Sequence, residues 1–321
     1  MPDAKTKPET ISLYQFMQRF PNEEAARLFF ENKRWPNGPV CPHCGSSNAV
    51  ETKDHKPMPY RCKDCRKHFS VRTNMVLAES KVPLHKWLMA TYMMTAARKG
   101  VPSTQFAREL GVTQKTAWFL SHRIRESWLS KVDTETGSGG NGGMGPVNEV
   151  DECYIGGKEK NKHASKKLNA GRGPVGKTAV VGILERGGKV SARPVADTTA
   201  ETLQGFIECH SVKNAIIYTD ASKSYNGLDT LGFVHDTVNH TAGEYVRGDV
   251  HTNGIESFWA LLKRGHYGIY HYMSNQHLSR YVNEFSFRYD TRENNTMDFI
   301  EMTAARMEGR RLSYKQLTNK T

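Results

Sequence analysis

Apolar residues recur along this chain at two spacings, and the change from one to the other divides it. Over residues 11–32 they keep a helical period, with Leu13, Phe16, Phe20, Ala25, Leu28 and Phe29 on one side. Pro21-Asn22 splits that run into two helices, and Trp35-Pro36-Asn37-Gly38 is a turn. Residues 81–129 are helical again, with Trp87, Leu88, Tyr92 and Met93 inward. Within VPSTQFARELGVTQKTAWFLSHRIRESW, Ser103 or Thr104 can cap a helix that ends at Leu110. Gly111 turns the chain, and Thr113 caps a second helix to about Trp128. Helix, glycine turn and helix at this spacing is a helix-turn-helix pattern. Beyond residue 147 the rhythm becomes that of strands. Val147, Val150 and Tyr154 mark one, with Asp151 inside it; residues 178–184 and 189–195 form two more across an Arg-Gly-Gly turn. Residues 200–210 are a helix, AIIYTD is a buried strand ending in Asp220, and residues 235–240 are a further strand. Residues 277–290 and 297–309 return to helical spacing.

One short helix stands apart. In HTNGIESFWALLKRG, Ile255, Phe258, Trp259 and Leu262 make a single apolar stripe. Thr252 or Asn253 can cap its start, and Gly265 can end it after Lys263 and Arg264. Asn253, Glu256 and Lys263 share a neighbouring face, since three or four residues make about one turn. A carboxylate and a lysine there suit delivery of one to a metal and the other to a phosphate. An ordinary solvated face is the other reading.

Composition narrows the partners. The chain has 321 residues, enough for two or three domains, and a formal net charge of +12. Such an excess favours a polyanion, and nucleic acid is the commonest. No apolar run reaches the length of a membrane span. The polar N-terminus, MPDAKTKPET, lacks the apolar core of a signal peptide, so a cytoplasmic protein with no membrane partner is expected.

Four of the six cysteines form two pairs, CPHC at Cys41 and Cys44 and CKDC at Cys62 and Cys65, seventeen residues apart. Each pair offers two thiolates to one ion, and four complete a tetrahedron, which predicts a zinc ribbon holding one structural Zn²⁺. Residues 53–72 carry seven Lys/Arg and two Asp/Glu, interleaved with Tyr60 and Phe69, as a phosphate-contacting face would. Gln114, Lys115, Thr116, His122 and Arg123 are polar residues of the second helix-turn-helix helix, the first three at its N-terminal end, where they could reach bases or phosphates; a helical hairpin without DNA contact is the other reading. DTETGSGGNGGMGP is a glycine-rich linker, and residues 156–177, with seven Lys/Arg and one acid, form a basic loop.

The acids then fall into order: Asp151 in the first strand of a meander, Asp220 at the end of a buried strand, and Glu256 on the helix behind. Thirty-five residues separate the last two, and Lys263 follows Glu256 by seven. With the words DECYIGGKEKNKH, YTDASKSYNGL and HTNGIESFWALLKRGHYGIYHYMS, this order resembles the DDE transposase and retroviral-integrase core. Over residues 12–292 the chain resembles the ISXO-like group of bacterial insertion-sequence transposases. The resemblance implies an α/β fold: a ribonuclease-H-like catalytic core preceded by a four-cysteine zinc ribbon and a helical helix-turn-helix region. Its expected divisions are an N-terminal helical segment (11–40), the ribbon (41–72), the DNA-binding region (80–130), the linker (131–146), the core (147–292) and a C-terminal helical tail (293–321).

It also implies a DNA transposase that binds terminal inverted repeats, cleaves strands and joins them to target DNA. Two Mg²⁺ or Mn²⁺ ions about 4 Å apart stabilise the attacking and leaving oxygens in such chemistry. The resemblance makes Asp151 the bridge between the ions, gives Asp220 to one and Glu256 to the other, and puts Lys263 on a phosphate. Asn253, one turn before Glu256, is the alternative third residue. Glu152 should face the other side of the sheet. His240 and His251 lie close by, and GHYGIYHYM can either stack on unpaired bases or pack within the fold. The implied partners are double-stranded element ends and target DNA, with a homo-oligomer in the DNA complex. A related nuclease and a non-catalytic regulator descended from a transposase are the competing readings.

Overall fold

The computed structural model describes residues 7–52, 55–129, 144–157, 161, 163–168, 174–239 and 242–319. The chain forms two compact units, residues 1–128 with 293–321, and residues 129–292. Most of the glycine-rich linker and much of the basic loop lie outside the described residues, as does His240.

The first unit begins with α1 (Leu13–Arg19) and α2 (Glu23–Arg34). Ser12 and Gln15 close a capping box on α1, and the Asn22 side chain accepts from Ala25 N at 2.9 Å to start α2. Phe16, Phe20 and Phe29 are buried as expected, but Leu28 is 44 % exposed and Leu13 48 %. Ala26 and Phe30 are buried instead. The stripe is turned by one residue, and Phe29 meets both Phe20 and Phe30 edge to face.

The ribbon is a three-stranded antiparallel sheet of β1 (Ala49–Glu51), β2 (Tyr60–Cys62) and β3 (His68–Phe69). Tyr60 and Phe69 are not part of a nucleic-acid face. They are buried, each edge-on to the Trp35 ring. Arg61, Lys63, Arg66 and Lys67 are exposed.

Next come α3 (Leu84–Ala96), α4 (Ser103–Leu110) and α5 (Gln114–Ser127). Gly111 takes φ 60°, the left-handed turn that joins α4 to α5, and Thr113 caps α5 through Thr116 N. Gln114 and Lys115 are exposed, whereas His122 and Arg123 are buried. The Arg123 guanidinium donates to Ala78 O at 2.6 Å and lies over the Trp87 and Phe119 rings. Both residues therefore belong to the packing of this unit, not to a base-reading surface.

The second unit is built on a five-stranded sheet. Its strands are β4 (Val147–Ile155), β5 (Thr178–Glu185), β6 (Val190–Val195), β7 (Ile216–Asp220) and β8 (Val234–Val238). The order is β6-β5-β4-β7-β8. β4, β5 and β6 are an antiparallel meander, while β7 and β8 continue parallel to β4. This is the sheet of a ribonuclease-H-like fold, with α6 (Ala200–His210) as the crossover between the meander and β7. Val150, Val181 and Ile183 face α6, packing with Leu203, Phe206 and Ile207. Cys153, Ile155, Val180 and Leu184 face the other way. On that side lie α7 (Asn253–Gly265) and α8 (Asn275–Asp290). The α7 stripe is buried as its spacing predicts, with Ile255, Phe258 and Leu262 at 0 % exposure and Trp259 at 3 %. Each such side chain contributes about 1.5–3 kcal/mol on burial.

Gly265 does not cap α7. Its φ of −63° is helical, and the chain runs on through a π-helical turn, His266–Tyr270. A glycine is needed there because a Cβ would run into the Phe285 ring of α8.

After α8 the chain rejoins the first unit through α9 (Thr296–Ala305) and α10 (Tyr314–Thr318). Trp128 Nε1 donates to Thr303 Oγ1 at 3.0 Å, and Val76 N donates to Met307 O at 3.0 Å. The C-terminal segment is thus part of the N-terminal unit's core.

Candidate active site

Three elements of the second unit converge on one patch of sheet. The parallel register pairs Glu149 of β4 with Tyr218 of β7. Asp151, two residues on from Glu149, and Asp220, two on from Tyr218, return to that same face by the period of two. That face is the one α7 covers. Across the antiparallel ladder, Asp151 is opposite Gly182 of β5. The Trp259 indole lies on this glycine, where a Cβ would be 2.7 Å from Cη2. The indole Nε1 donates to Asp151 Oδ2 at 3.0 Å. Trp259 is thus both a core residue of α7 and the group that fixes the Asp151 carboxylate.

The acids act on one another electrostatically. Burial, with the charges of Glu152, Asp220 and Glu256 added, pushes the Asp151 carboxyl up to about 7. A half-buried carboxylate among other acids favours a proton or a cation. Asp220 is the last residue of β7, and its Oδ1 accepts from Ser222 N at 3.0 Å. Glu256 lies in the first turn of α7, exposed, with Oε1 accepting from Thr252 Oγ1 at 3.1 Å. Asn253 is the first residue of α7, also exposed. Lys263 is exposed two turns on, and its charge opposes the burial that pushes the Cys153 thiol up to about 12. Glu152 does turn to the opposite face, where it accepts from the buried Tyr225 hydroxyl at 2.6 Å.

The two candidate metal sets fit their ions differently. The Sγ atoms of Cys41, Cys44, Cys62 and Cys65 all lie within 4.8 Å of one another, with Cys41–Cys65 and Cys44–Cys62 at 3.6 Å. Zn–S bonds of about 2.3 Å in a tetrahedron put sulfurs about 3.8 Å apart, so the quartet fits zinc. Among the described residues no other group of three or more His, Cys, Asp or Glu ligand atoms is gathered so tightly. Asp151, Asp220 and Glu256 are therefore not a cage for one ion. Their donors are all oxygen and come from separate elements, the chemistry that hard divalent cations take.

The sequence patterns do not single out Glu149, which lies in β4 two residues before Asp151. It is 1 % exposed and accepts from Gly254 N at 2.7 Å and Ile255 N at 3.0 Å. His251 Nδ1 is 3.3 Å from its other oxygen. Period-two spacing alone puts Glu149 on the Asp151 face; what it touches there depends on where α7 docks. The run after α7 divides between the two roles expected of it. Tyr270 turns inward, its hydroxyl donating to the buried Glu284, which Arg288 pairs at 2.7 Å. Tyr267 and Tyr272 stay 47 % and 74 % exposed.

Residues 144–290 match the ISXO2-like transposase domain, and residues 21–68 match the transposase zinc-ribbon domain. A protein in transposable element ISH50 of Halobacterium salinarum is 30 % identical over 287 residues, covering 85 % of this chain and 92 % of that protein. A transposase-like protein of Haemophilus influenzae is 30 % identical over 105 residues, covering 33 % of this chain and 84 % of that one. Among solved structures, the Mos1 strand transfer complex aligns with 69 % of this chain and 78 % of that one at 12 % identity, but with a TM-score of 0.26, too weak a likeness to inform the fold. A relative alike over nearly its whole length, and a domain match spanning the five-stranded unit, agree with the order of acids along the sequence: the chain belongs to the ISXO2-like transposases.

Proposed function

We propose that the protein is a DNA transposase that binds the ends of an insertion sequence, cleaves them and joins them to target DNA at the Asp151 site. The observation that carries this reading is the placing of Asp151, half-buried on β4 with its carboxylate held by Trp259 of α7, and raised to about 7 by desolvation and by its acidic neighbours Glu152, Asp220 and Glu256. Asp151, Asp220 and Glu256 would hold Mg²⁺ or Mn²⁺, with Asp151 shared. Bound there, two such cations stabilise the attacking and leaving oxygens of phosphoryl transfer. The residues themselves do simpler work. Trp259 holds Asp151 in one orientation, and Thr252 holds Glu256. Lys263 offers a cation to the DNA backbone on the exposed side of the same helix. Water attacks phosphorus first, breaking the bond to the 3′ oxygen and leaving a 3′-OH. That hydroxyl then attacks a target phosphodiester, displacing another 3′ oxygen.

DNA recognition falls to the ribbon and the helix-turn-helix. Arg61, Lys63, Arg66, Lys67, Gln114 and Lys115 are their exposed candidates. An element has two ends and each chain one carboxylate set, which favours a homo-oligomer on DNA.

The test is a cleavage and joining assay with labelled DNA carrying the gene's own flanking ends and Mg²⁺ or Mn²⁺. Wild type should give cleaved and joined products; Asp220→Ala and Glu256→Ala should give neither. Cleavage without joining favours the nuclease reading. End binding with no cleavage under either metal would make the protein a regulator.

A further inference from the structure

Glu149 is a carboxylate in the wrong company for a structural residue. It sits on the sheet face that buries Leu184 and Ile255, where a charge is costly unless every oxygen is satisfied. Oε2 is satisfied by the backbone N–H groups of Gly254 and Ile255, two of the four that the first turn of α7 leaves open. The residue at the cap position, Thr252, makes no side-chain cap; its hydroxyl goes to Glu256. Oε1 faces Arg186 Nε at 3.2 Å and His251 Nδ1 at 3.3 Å. Arg186 also donates to His251 O at 3.2 Å and lies 4.5 Å over the Tyr218 ring. Gly254 leaves the room this requires. A Cβ there would stand 2.8 Å from Glu149 Oε2 and 3.0 Å from Leu184 Cδ2.

A serine or asparagine at residue 252 would cap α7 without burying a charge. A cap supplied from β4 does something a local cap cannot. It ties the first turn of α7 to the strand that carries Asp151, two residues away. We infer that Glu149 is a positioning residue of the active centre: it sets the approach and rotation of the α7 first turn, and so aims Glu256 and Asn253 at Asp151 and Asp220. This rests on the reading of those acids as the cation-holding set. The tie matters because Glu256 and Asp151 come from different elements, α7 and β4, and a shift of about 1 Å at a reacting centre can cost about 100-fold in rate.

The test uses the full-length protein, pre-formed end DNA and a Mn²⁺ titration of end cleavage. Thermal melting and end binding in Ca²⁺ are measured in parallel. Glu149→Ala should raise the Mn²⁺ midpoint about tenfold and lower the maximal rate about 10–100-fold, as losing an outer partner of metal ligands does. End binding should stay at the wild-type level. Glu149→Gln keeps an oxygen for the two backbone donors and should recover most of the rate. Gly254→Ala, which presses on Glu149 from the helix side, should reproduce the Glu149→Ala midpoint and carries the test if Glu149→Ala does not fold. Wild-type midpoints and rates in folded Glu149→Ala or Gly254→Ala overturn the proposal. So does a Glu149→Gln protein no better than Glu149→Ala. Asp151→Ala is run alongside: cleavage surviving there would overturn the active-site reading itself, whereas its loss with wild-type behaviour in the Glu149 variants would overturn only the positioning role.

Discussion

The two candidate ligand sets of this chain are built in opposite ways. The cysteine quartet comes from two tight CxxC turns joined by a short antiparallel sheet, and its sulfurs are gathered within 4.8 Å. The acidic set comes from two parallel strands and a helix that lies more than thirty residues further along the chain. Its members are held apart, each steadied by a different partner: Trp259 for Asp151, Ser222 N for Asp220 and Thr252 for Glu256. The first set closes on one ion and makes a fold. The second stays open, as the proposed cation site would need to be for water and a DNA phosphate to enter it. Local construction gives stability to a small ribbon. Construction from distant elements gives a surface on which substrate can be placed.

The largest expected effect breaks the comparison at the ribbon. Cys62→Ser removes one of four thiolates, and structural zinc supplies much of the folding energy of such small modules. Zinc content measured by mass spectrometry should fall to background and footprints at element ends should vanish, while the second unit keeps its melting transition. Unchanged footprints would assign end recognition elsewhere.

A smaller effect separates the sets by their cost to the fold. The native Asp151 carboxyl sits near 7, above the unfolded value of about 3.9. Between these values the unfolded chain binds fewer protons, so stability falls as pH rises from about 4 to about 7. Asp151→Asn removes that cost. The melting temperature of the metal-free variant should exceed wild type by several degrees at pH 8. The gain should shrink as pH falls through 7 and be gone near pH 4. No cysteine variant of the ribbon should stabilise the protein at any pH. A calorimetric pH series on both variants checks the contrast.

The same difference decides what the sequence made legible. The ribbon ligands, the helix-turn-helix and the apolar stripe of α7 all follow from short-range spacing, and all are where spacing puts them. The Asp151, Asp220 and Glu256 order was legible only with the resemblance, since no local pattern joins residues from β4, β7 and α7. Trp259 was visible as core but not as a donor to Asp151, because that depends on the bare Gly182 beneath its ring. Arg123 and His122 were read as surface polar groups. Their burial reflects aromatic neighbours: Trp87 and Phe119 accept the flat guanidinium, and Trp118 stands edge-on to His122. A helix was legible over residues 297–309, four residues longer at its end than α9, but nothing in its spacing says that it closes the N-terminal unit.

The measurement that bears most directly on the active centre is Mn²⁺ binding, followed by electron paramagnetic resonance on the protein bound to end DNA. Wild type is compared with Asp151→Ala, Asp220→Ala, Glu256→Ala and Asn253→Ala. The predicted result is tight binding in wild type and Asn253→Ala, weakened binding in Asp220→Ala and Glu256→Ala, and the greatest loss in Asp151→Ala. Retention of Mn²⁺ by Glu256→Ala with loss in Asn253→Ala would move the third ligand to the asparagine. Wild-type binding in Asp151→Ala would contradict the account.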